Sequence, residues 1–372
     1  MRKPVYVTQP FLPPLDEFQP YLKDIWKTKW LTNNGKYHKK LEETICSYLG
    51  VKYVSLFANG TLALIAALRA LRISGEVITT PFSFVATAHA LWWNSIKPVF
   101  VDIEPESATL DPKKIEAAIT PRTTAILPVH VYGNPCDVQR IAEIAGTYGL
   151  KVIYDACPAF GVKLAEESIL RFGDLSAVSF HATKVYTTFE GGAIISHSED
   201  MKHQIDNLKN FGYVDETSVA APGINAKMNE FQAALGMLQL KYVEENIAKR
   251  RALASRYRAA LSRIDGIGFF PEFESVRYTY GAFPILIDED KFGRTREFVY
   301  EKLKGRNIFA RRYYYPLISE FPTYSGLDSA KPGSLPAAER ISRQVLCLPI
   351  YPELENHTVD IICELIAEEA SR

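Results

Sequence analysis

The sequence predicts an α/β protein with a mostly parallel, seven-stranded sheet and a smaller C-terminal α+β unit. Three observations predict this fold: the length of the chain, the regular succession of strand-like and helix-like segments, and a change of pattern after Ala233. The chain has 372 residues, a length typical of two domains. We expect a larger unit over residues 1–245 and a smaller one over residues 246–372.

The first part of the chain contains short segments that predict buried strands. They are rich in Val, Ile and Phe and lack alternation, as expected when helices cover both faces of a sheet. These segments are Tyr53–Phe57, Glu76–Thr79, Pro98–Asp102, Ala125–Val129, Lys151–Asp155, Ala177–Phe180 and Ala193–Ser196. The helices predicted between them are Thr61–Leu71, Phe84–Trp93, Pro112–Ala118 and Val138–Tyr148. Strands that alternate with helices in this way favour a parallel sheet with right-handed crossovers.

After Ala233 the pattern predicts one long helix that ends near Leu261 and joins the two units. Leu253, Tyr257 and Leu261 follow each other at four-residue spacing, which places them on one face of that helix. The C-terminal unit is expected to contain Tyr280–Ile287, the Arg311–Tyr315 cluster and a closing helix after His357.

Charge and cysteine content exclude several classes of function. Lys plus Arg and Asp plus Glu number 43 each, so nothing favours binding to nucleic acid or to a membrane. No CxxC pair occurs, and we expect neither a metal site nor disulfides. The N-terminus lacks the apolar segment of a secretion signal, and we expect a cytoplasmic protein. The cysteines are Cys46, Cys136, Cys157, Cys347 and Cys363.

Lys184 is the first candidate for chemistry. It ends the segment Ser179-Phe180-His181-Ala182-Thr183-Lys184, which follows a predicted strand and precedes Glu190-Gly191-Gly192. Lysine is the side chain that forms imines with aldehydes, and burial or a nearby cation makes its amine nucleophilic. The alternative, an exposed loop lysine, is the commoner situation for a lysine in isolation.

Asp155 ends the apolar strand Lys151–Asp155. Ligands of open α/β sheets bind beyond the carboxyl ends of the strands, where an aspartate can pair with a protonated pyridine nitrogen. The alternative is a cap on the following turn.

A third candidate segment is Asn59-Gly60-Thr61, where a strand ends and an apolar helix begins. The backbone N–H groups at such a helix start suit a phosphate, although Thr61 is equally a common cap. Phe84, after Pro81-Phe82-Ser83, is a candidate for stacking on a planar ring, or else a core aromatic. Neither a Walker lysine nor GxGxxG is present, which counts against ATP and NAD.

The order of these segments is that of fold-type I pyridoxal-phosphate enzymes, and the motifs resemble the DegT/DnrJ/EryC1/StrS sugar aminotransferases over nearly the whole chain. Within the family, the pattern is most similar to the viosamine-type aminotransferases, which act on dTDP-4-keto-6-deoxyglucose in O-antigen and lipopolysaccharide biosynthesis. The motifs that carry the likeness are Thr32-Asn33-Asn34-Gly35, Asn59-Gly60-Thr61, Pro81–Phe84, Asp155-Ala156, Ser179–Lys184, Val185–Gly192, Gly223–Glu230, Arg311–Pro316 and Leu348–Pro352.

The resemblance implies a role for each matching residue. Lys184 becomes the imine-forming base, and the cofactor that it holds carries the amino group from L-glutamate to a nucleotide-linked keto-sugar. Asp155 pairs with the ring nitrogen and Phe84 stacks on the ring. The resemblance further implies phosphate contacts from Gly60, Thr61, Ser179 and, in the neighbouring subunit of a homodimer, Asn225. Substrate contacts are expected from His181, Tyr186, Arg312 and Tyr313, although His181 is equally suited to stabilising its turn.

One position departs from the family pattern. Pro158 stands where the family has Gln or His, a residue that contacts the phenolic oxygen of the cofactor, and proline offers neither a side-chain donor nor an N–H. Three alternatives to the main interpretation stay open: a 3-keto or UDP/GDP-linked acceptor, the dehydratase branch, and a catalytically silent, regulatory cofactor-binding protein. Lys184 argues against the dehydratases, which carry histidine there, whereas Pro158 favours the silent protein.

Overall fold

The computed structural model describes residues 3–370. Within this range the α-helices are α1 (Leu15–Thr28), α2 (Lys36–Leu49), α3 (Gly60–Ala70), α4 (Ala86–Trp93), α5 (Val138–Tyr148), α6 (Glu199–Leu208), α7 (Glu230–Gln239), α8 (Val243–Leu261), α9 (Glu289–Phe292), α10 (Arg296–Lys304), α11 (Pro336–Gln344) and α12 (Asn356–Ala370). The strands are β1 (Val5–Tyr6), β2 (Tyr53–Phe57), β3 (Glu76–Thr79), β4 (Lys97–Phe100), β5 (Thr123–Leu127), β6 (Lys151–Asp155), β7 (Lys163–Leu164), β8 (Glu167–Ser168), β9 (Leu175–Ser179), β10 (Gly192–Ser196), β11 (Ile267–Gly268), β12 (Val276–Arg277), β13 (Phe283–Ile287), β14 (Ile308–Phe309) and β15 (Val345–Leu348).

The seven-stranded sheet has the order β2-β10-β9-β6-β5-β3-β4. Its neighbours pair in parallel except β10, which runs antiparallel to both β2 and β9. The predicted mostly parallel sheet is therefore confirmed. The carboxyl ends of β2, β3, β6 and β9 and the start of β10 consequently lie at one edge of the sheet, the edge at which α/β proteins bind ligands.

Two predicted helices differ from the observed structure. Pro112–Ala118 forms two short 3-10 turns, Pro112–Lys114 and Glu116–Ala118, and the backbone turns extended at Ile119. The segment ends at the predicted residue, Ala118, but forms 3-10 turns in place of an α-helix. The long helix predicted after Ala233 is divided into α7 and α8.

The break between α7 and α8 is held by the N-terminal segment of the chain. Gln239 donates a hydrogen bond of 2.7 Å to the carbonyl of Phe11, and Lys241 forms an ion pair of 3.3 Å with Glu17. Glu17 also accepts a hydrogen bond from the Tyr242 hydroxyl. These partners are remote in sequence, so the helical periodicity of the segment could not reveal the interruption.

Two apolar clusters pack against successive parts of α8. Val243 and Ile247 belong to the core beneath the large sheet, whereas Leu253, Tyr257 and Leu261 lie in a second core with β13 and α12. The predicted apolar face of the helix is thus confirmed. Strand β1 pairs in parallel with β14, so the N-terminal strand packs with the C-terminal part of the chain.

The structure also describes the state of the cysteines and the apolar character of the helices. The cysteines all have free thiols. Among the helices of residues 3–370, none combines the length and the apolar character that crossing a membrane requires.

The buried carboxylate of Glu230 caps helix α2. It accepts hydrogen bonds of 2.8 Å from Tyr37 N–H and 2.9 Å from His38 N–H, at the positive end of the helix dipole. Gly35 precedes this helix, and a Cβ there would lie 2.6 Å from the Glu230 carboxyl carbon. The glycine therefore allows the carboxylate to reach the helix.

Replacing Glu230 by alanine is expected to lower the free energy of unfolding by about 3 kcal/mol, because it leaves buried N–H groups without partners. Urea unfolding of the purified variant measures this loss. Glu230→Gln keeps one acceptor oxygen and is expected to lose roughly half as much. A Glu230→Ala variant as stable as the wild type would contradict this account of the cap.

Candidate active site

A cavity of about 330 Å³ opens at the edge of the sheet where the strand ends converge. This volume is at the lower end of the range of small-molecule sites. The large sheet and its loops form one wall, and Val7, Thr8, Gly281, Ala282, Tyr313 and Tyr314 form the other. Of the site residues predicted from the sequence, the cavity brings together Gly60, Thr61, Phe84, Asp155, Ser179, His181, Lys184 and Tyr313.

The carboxylate of Asp155 lies at the floor of the cavity and is only 4% exposed. One oxygen accepts a hydrogen bond of 2.7 Å from the Thr87 hydroxyl, which in turn lies 2.7 Å from Ser83 Oγ. The other oxygen accepts from Cys157 N–H at 3.1 Å. Because each carboxylate oxygen has a further lone pair, the group is held in place and still able to accept a proton donor from the cavity.

Lys184 lies in the loop between β9 and β10. Its backbone N–H donates to the His181 carbonyl at 2.9 Å, and Phe180 N–H donates to Gly191 at 2.8 Å, which closes the loop at its base. The Lys184 side chain is half-buried in the cavity wall. Its amine forms no hydrogen bond or ion pair with residues 3–370. An unpaired amine in a cavity of this kind is available to a ligand.

The turn after β2 forms an anion cradle. Asn59 caps α3 by accepting a hydrogen bond of 2.9 Å from Leu62 N–H. The N–H groups of Gly60 and Thr61, at the same helix start, have no acceptor among residues 3–370. A helix N-terminus with free N–H groups attracts phosphate. Ser179 lies against this turn, since a Cβ on Gly60 would be 2.8 Å from the Ser179 Cβ.

Gly192 brings the glycine pair against the cradle. A Cβ at this position would lie 2.7 Å from both the carbonyl carbon of Asn59 and the nitrogen of Gly60. A side chain there would therefore displace the turn. The close approach of two backbones explains why the Gly191-Gly192 pair follows the lysine loop.

His181 and Glu190 lie at the mouth of the cavity. The imidazole Nδ1 accepts a hydrogen bond of 3.2 Å from Thr183 N–H, so a proton on the ring is directed to Nε2. That nitrogen lies 3.4 Å from the Glu190 carboxylate. The contact with Thr183 stabilises the turn, as one of the two sequence interpretations expects, and the ring also lines the cavity.

Tyr186 and Arg312 lie outside the cavity lining. The Tyr186 ring is buried in the core, stacked on Phe160 with centroids 4.4 Å apart. Arg312 pairs with Glu297 at 2.8 Å and lies over the Tyr300 ring at 4.4 Å. The structure therefore separates both from the other candidates for substrate contact, because partners from other elements hold their side chains.

Asn225 is exposed and does not line the cavity of its own chain. Its loop is joined to Asn210 by an isolated antiparallel bridge and to β2 by a hydrogen bond of 2.8 Å from Ala58 N–H to the Ala226 carbonyl. Apolar side chains of the same surface are also exposed, among them Phe211 at 48% and Val219 at 57%.

The cavity suits pyridoxal phosphate. Two free N–H groups form a cradle for its phosphate, a buried carboxylate is available to its ring nitrogen, and an unpaired lysine amine is available to its aldehyde. The Phe84 ring, 61% exposed, lies on the cavity wall and offers a flat surface to a planar ring.

Several cavity residues were not predicted as site residues. Thr87 supports Asp155, and its four-residue spacing from Ser83 at the start of α4 was the signal available in the sequence. Tyr314 lies in the Arg311–Pro316 motif, although it was not singled out there, whereas no local pattern marks Tyr132, which reaches the cavity from another part of the chain. Burial raises the pKa of the Cys157 thiol well above its ordinary value, which keeps this cavity cysteine protonated.

Comparison with known proteins gives a consistent result. A family model, the DegT/DnrJ/EryC1/StrS aminotransferase family, matches residues 15–367. The chain is 52% identical over 369 residues to a dTDP-4-amino-4,6-dideoxy-D-glucose transaminase of Shigella dysenteriae, which covers 99% of this chain and 100% of that protein. An Escherichia coli protein of the same name is 53% identical over 369 residues and covers 98% of each chain.

Comparison with solved structures also finds proteins of similar fold. The crystal structure of DesI in the presence of its TDP-sugar product superposes with a TM-score of 0.96 at 32% identity, over 100% of this chain and 94% of that one. The structure of NtdA from Bacillus subtilis with bound cofactor PMP superposes with a TM-score of 0.87 at 31% identity, over 100% of this chain and 87% of that one.

Proposed function

This chain belongs to the DegT/DnrJ/EryC1/StrS aminotransferase family, and we propose that it transfers an amino group from L-glutamate to dTDP-4-keto-6-deoxy-D-glucose. The product is dTDP-4-amino-4,6-dideoxy-D-glucose, the sugar named in its relatives from Shigella and Escherichia coli. The observation that carries the proposal is the unpaired Lys184 amine in one cavity with the buried Asp155 carboxylate and the anion cradle at Gly60.

In the proposed mechanism, each cavity residue has one task. Bound pyridoxal phosphate supplies a ring that withdraws electrons from the carbon bearing the transferred amine. Asp155 holds the proton of the ring nitrogen. The N–H groups of Gly60 and Thr61, with Ser179, bind the phosphate, and Phe84 stacks on the ring.

Lys184 moves the proton in both half-reactions. In the first half-reaction its amine would take the α-proton of glutamate as a base and return a proton to the cofactor carbon as an acid. In the second it would run the two transfers in reverse and deliver a proton to C4 of the sugar. One group serves both steps because it stays on one side of the ring. The half-buried loop tied to His181 and Gly191 keeps the amine at that position.

A panel of keto-sugars tests the proposal. The purified protein is incubated with pyridoxal phosphate, L-glutamate and dTDP-4-keto-6-deoxyglucose, and 2-oxoglutarate and amino-sugar are quantified by mass spectrometry. Parallel reactions contain 3-keto, UDP-linked and GDP-linked sugars. The proposal expects the dTDP-4-keto sugar to give the highest kcat/KM, and preference for another acceptor would overturn that assignment.

A glutamate half-reaction separates the enzyme from the silent cofactor-binding protein that Pro158 favours. The visible absorption of the bound cofactor is expected to disappear when L-glutamate is added and to return with 2-oxoglutarate. An unchanged spectrum at saturating cofactor would support the silent protein. The same measurement needs no sugar, so it isolates the donor step.

We further propose a homodimer with composite active sites, in which Asn225 binds the cofactor phosphate of the neighbouring subunit. The exposed position of Asn225, away from its own cavity, supports this arrangement. The single-chain cavity also contains few cations: among the described residues that line it, the basic ones are Lys184 and His181. A diphosphate substrate and a dicarboxylate donor need more positive charge than these two groups supply.

Complementation tests the composite site. Asn225→Asp places a carboxylate beside the phosphate and is expected to inactivate its partner's site, whereas Lys184→Ala inactivates its own. A mixed dimer of the two variants then has one site with both residues intact, and we expect about half of the wild-type activity per mixed dimer. Mixed dimers as inactive as each parent would contradict the shared site.

Two further proposals concern the division of the chain into units and its location in the cell. We propose that residues 1–245 and 246–372 form separate units meeting within α8, supported by the change of core between Ile247 and Leu253. We also propose a cytoplasmic location, supported by the free thiols of the chain.

A further inference from the structure

The wall of the cavity opposite the sheet presents a phenol without a partner. Tyr314 lines the cavity, and its hydroxyl forms no hydrogen bond with residues 3–370. The titratable groups that face it are Asp155, Cys157, Cys347 and Tyr313. The hydroxyl is not among the fully buried unpaired side-chain atoms of the described residues, so it opens to the cavity and is available to a ligand.

The Tyr314 ring is held firmly by other aromatic rings. Phe82 meets it edge-on, with centroids 5.7 Å apart at 84°, and Tyr132 lies parallel to it at 6.1 Å and 3°. Burial raises the pKa of Tyr314 well above its ordinary value. The hydroxyl therefore keeps its proton and is a donor in a defined position.

The chemistry of the cofactor leaves one acceptor for this donor. The proposed function accounts for the phosphate, the ring nitrogen and the aldehyde, through the cradle, Asp155 and Lys184. The remaining polar atom of the ring is its phenolic oxygen. Pro158, which follows Cys157 on the cavity wall, has neither an N–H nor a polar side chain to offer it.

We propose that the Tyr314 hydroxyl donates a hydrogen bond to the phenolic oxygen of the cofactor and tunes the protonation of the Lys184 nitrogen. This inference rests on the proposed function. A donor at the phenolic oxygen withdraws negative charge from it, so the neighbouring nitrogen is less stabilised in its protonated form. That nitrogen then loses its proton at lower pH.

The test is a pH titration of the visible absorption of the cofactor-loaded protein without substrate. In Tyr314→Phe the midpoint is expected to rise by about one pH unit or more, the effect of losing a hydrogen bond to a charged oxygen. Tyr313→Phe removes a second phenol from the same wall and is the matched control, expected to stay within roughly 0.3 unit of the wild type.

A second variant keeps the test decisive. Pro158→Gln, added to Tyr314→Phe, supplies an amide donor from the adjacent wall and is expected to return the midpoint toward the wild-type value. A midpoint unchanged by Tyr314→Phe, or one that stays high in the double variant, overturns the assigned contact. A wild-type protein that shows no visible band after incubation with pyridoxal phosphate and removal of the unbound cofactor would overturn the proposed function instead.

Discussion

Replacing Lys184 by alanine is expected to lower kcat by on the order of 10⁴-fold or more, because one change removes the amine that serves as both imine-forming group and general base in the proposed mechanism. Amino-sugar production, followed by mass spectrometry, measures the loss. The amine forms no hydrogen bond or ion pair with residues 3–370, so its removal leaves no buried partner unsatisfied. We therefore expect the variant to fold and to unfold at the wild-type urea concentration.

Lys151→Ala is the matched control for this variant. Lys151 begins β6 at the opposite edge of the sheet, where its amine pairs with Asp174 at 2.8 Å. Loss of this exposed ion pair is expected to leave kcat unchanged and to cost less than about 1 kcal/mol of stability. Substantial turnover by a well-folded Lys184→Ala protein would mean that another group is the base.

The second large effect is expected for Asp155→Asn. The amide keeps the size of the side chain and an oxygen for the Thr87 hydroxyl, but it removes the negative charge that pairs with the ring nitrogen in the proposed mechanism. Loss of one partner of a buried ion pair costs about 3–5 kcal/mol, which corresponds to a decrease of roughly 10²–10⁴-fold in kcat/KM. Steady-state kinetics with saturating cofactor measure it.

Asp174→Asn provides the comparison, since this aspartate lies at the far edge of the sheet and pairs with the exposed Lys151. It is expected to retain wild-type kcat/KM. A decrease of less than tenfold in Asp155→Asn would show that the buried carboxylate does not act through its charge. The dissociation constant of the cofactor, from fluorescence titration, shows whether binding or turnover is affected.

The strands of the large sheet were predictable because each is short, apolar and bounded by turns. Lys151–Asp155 and Tyr53–Phe57 have the expected bounds. The division of the predicted long helix into α7 and α8 was not predictable, because contacts from Glu17 and Phe11 hold the break. Local periodicity carries no information about such partners.

The cofactor side of the cavity was also predictable, for a different reason. Asp155, Ser179 and the Gly60 turn each stand at a strand end, and parallel strands bring their carboxyl ends to one edge. The substrate side of the cavity was less predictable. The Arg311–Pro316 segment suggested a site for an anion, but the carboxylate of Glu297 pairs with Arg312 and neutralises its charge. Tyr186 follows Lys184 closely in sequence, yet its ring points into the core.

The sequence alone determined the α/β fold and indicated Lys184 and Asp155 as candidates, which the structure places in one cavity, because these features depend on apolar patterns and on residues beside strand ends. The tertiary structure alone decided which side chains are free to meet a ligand. Arg312 pairs with Glu297 and the Tyr186 ring is packed in the core, whereas Tyr314 presents an unpaired hydroxyl to the cavity. Such pairing depends on which elements pack together, and the residues concerned are far apart along the chain.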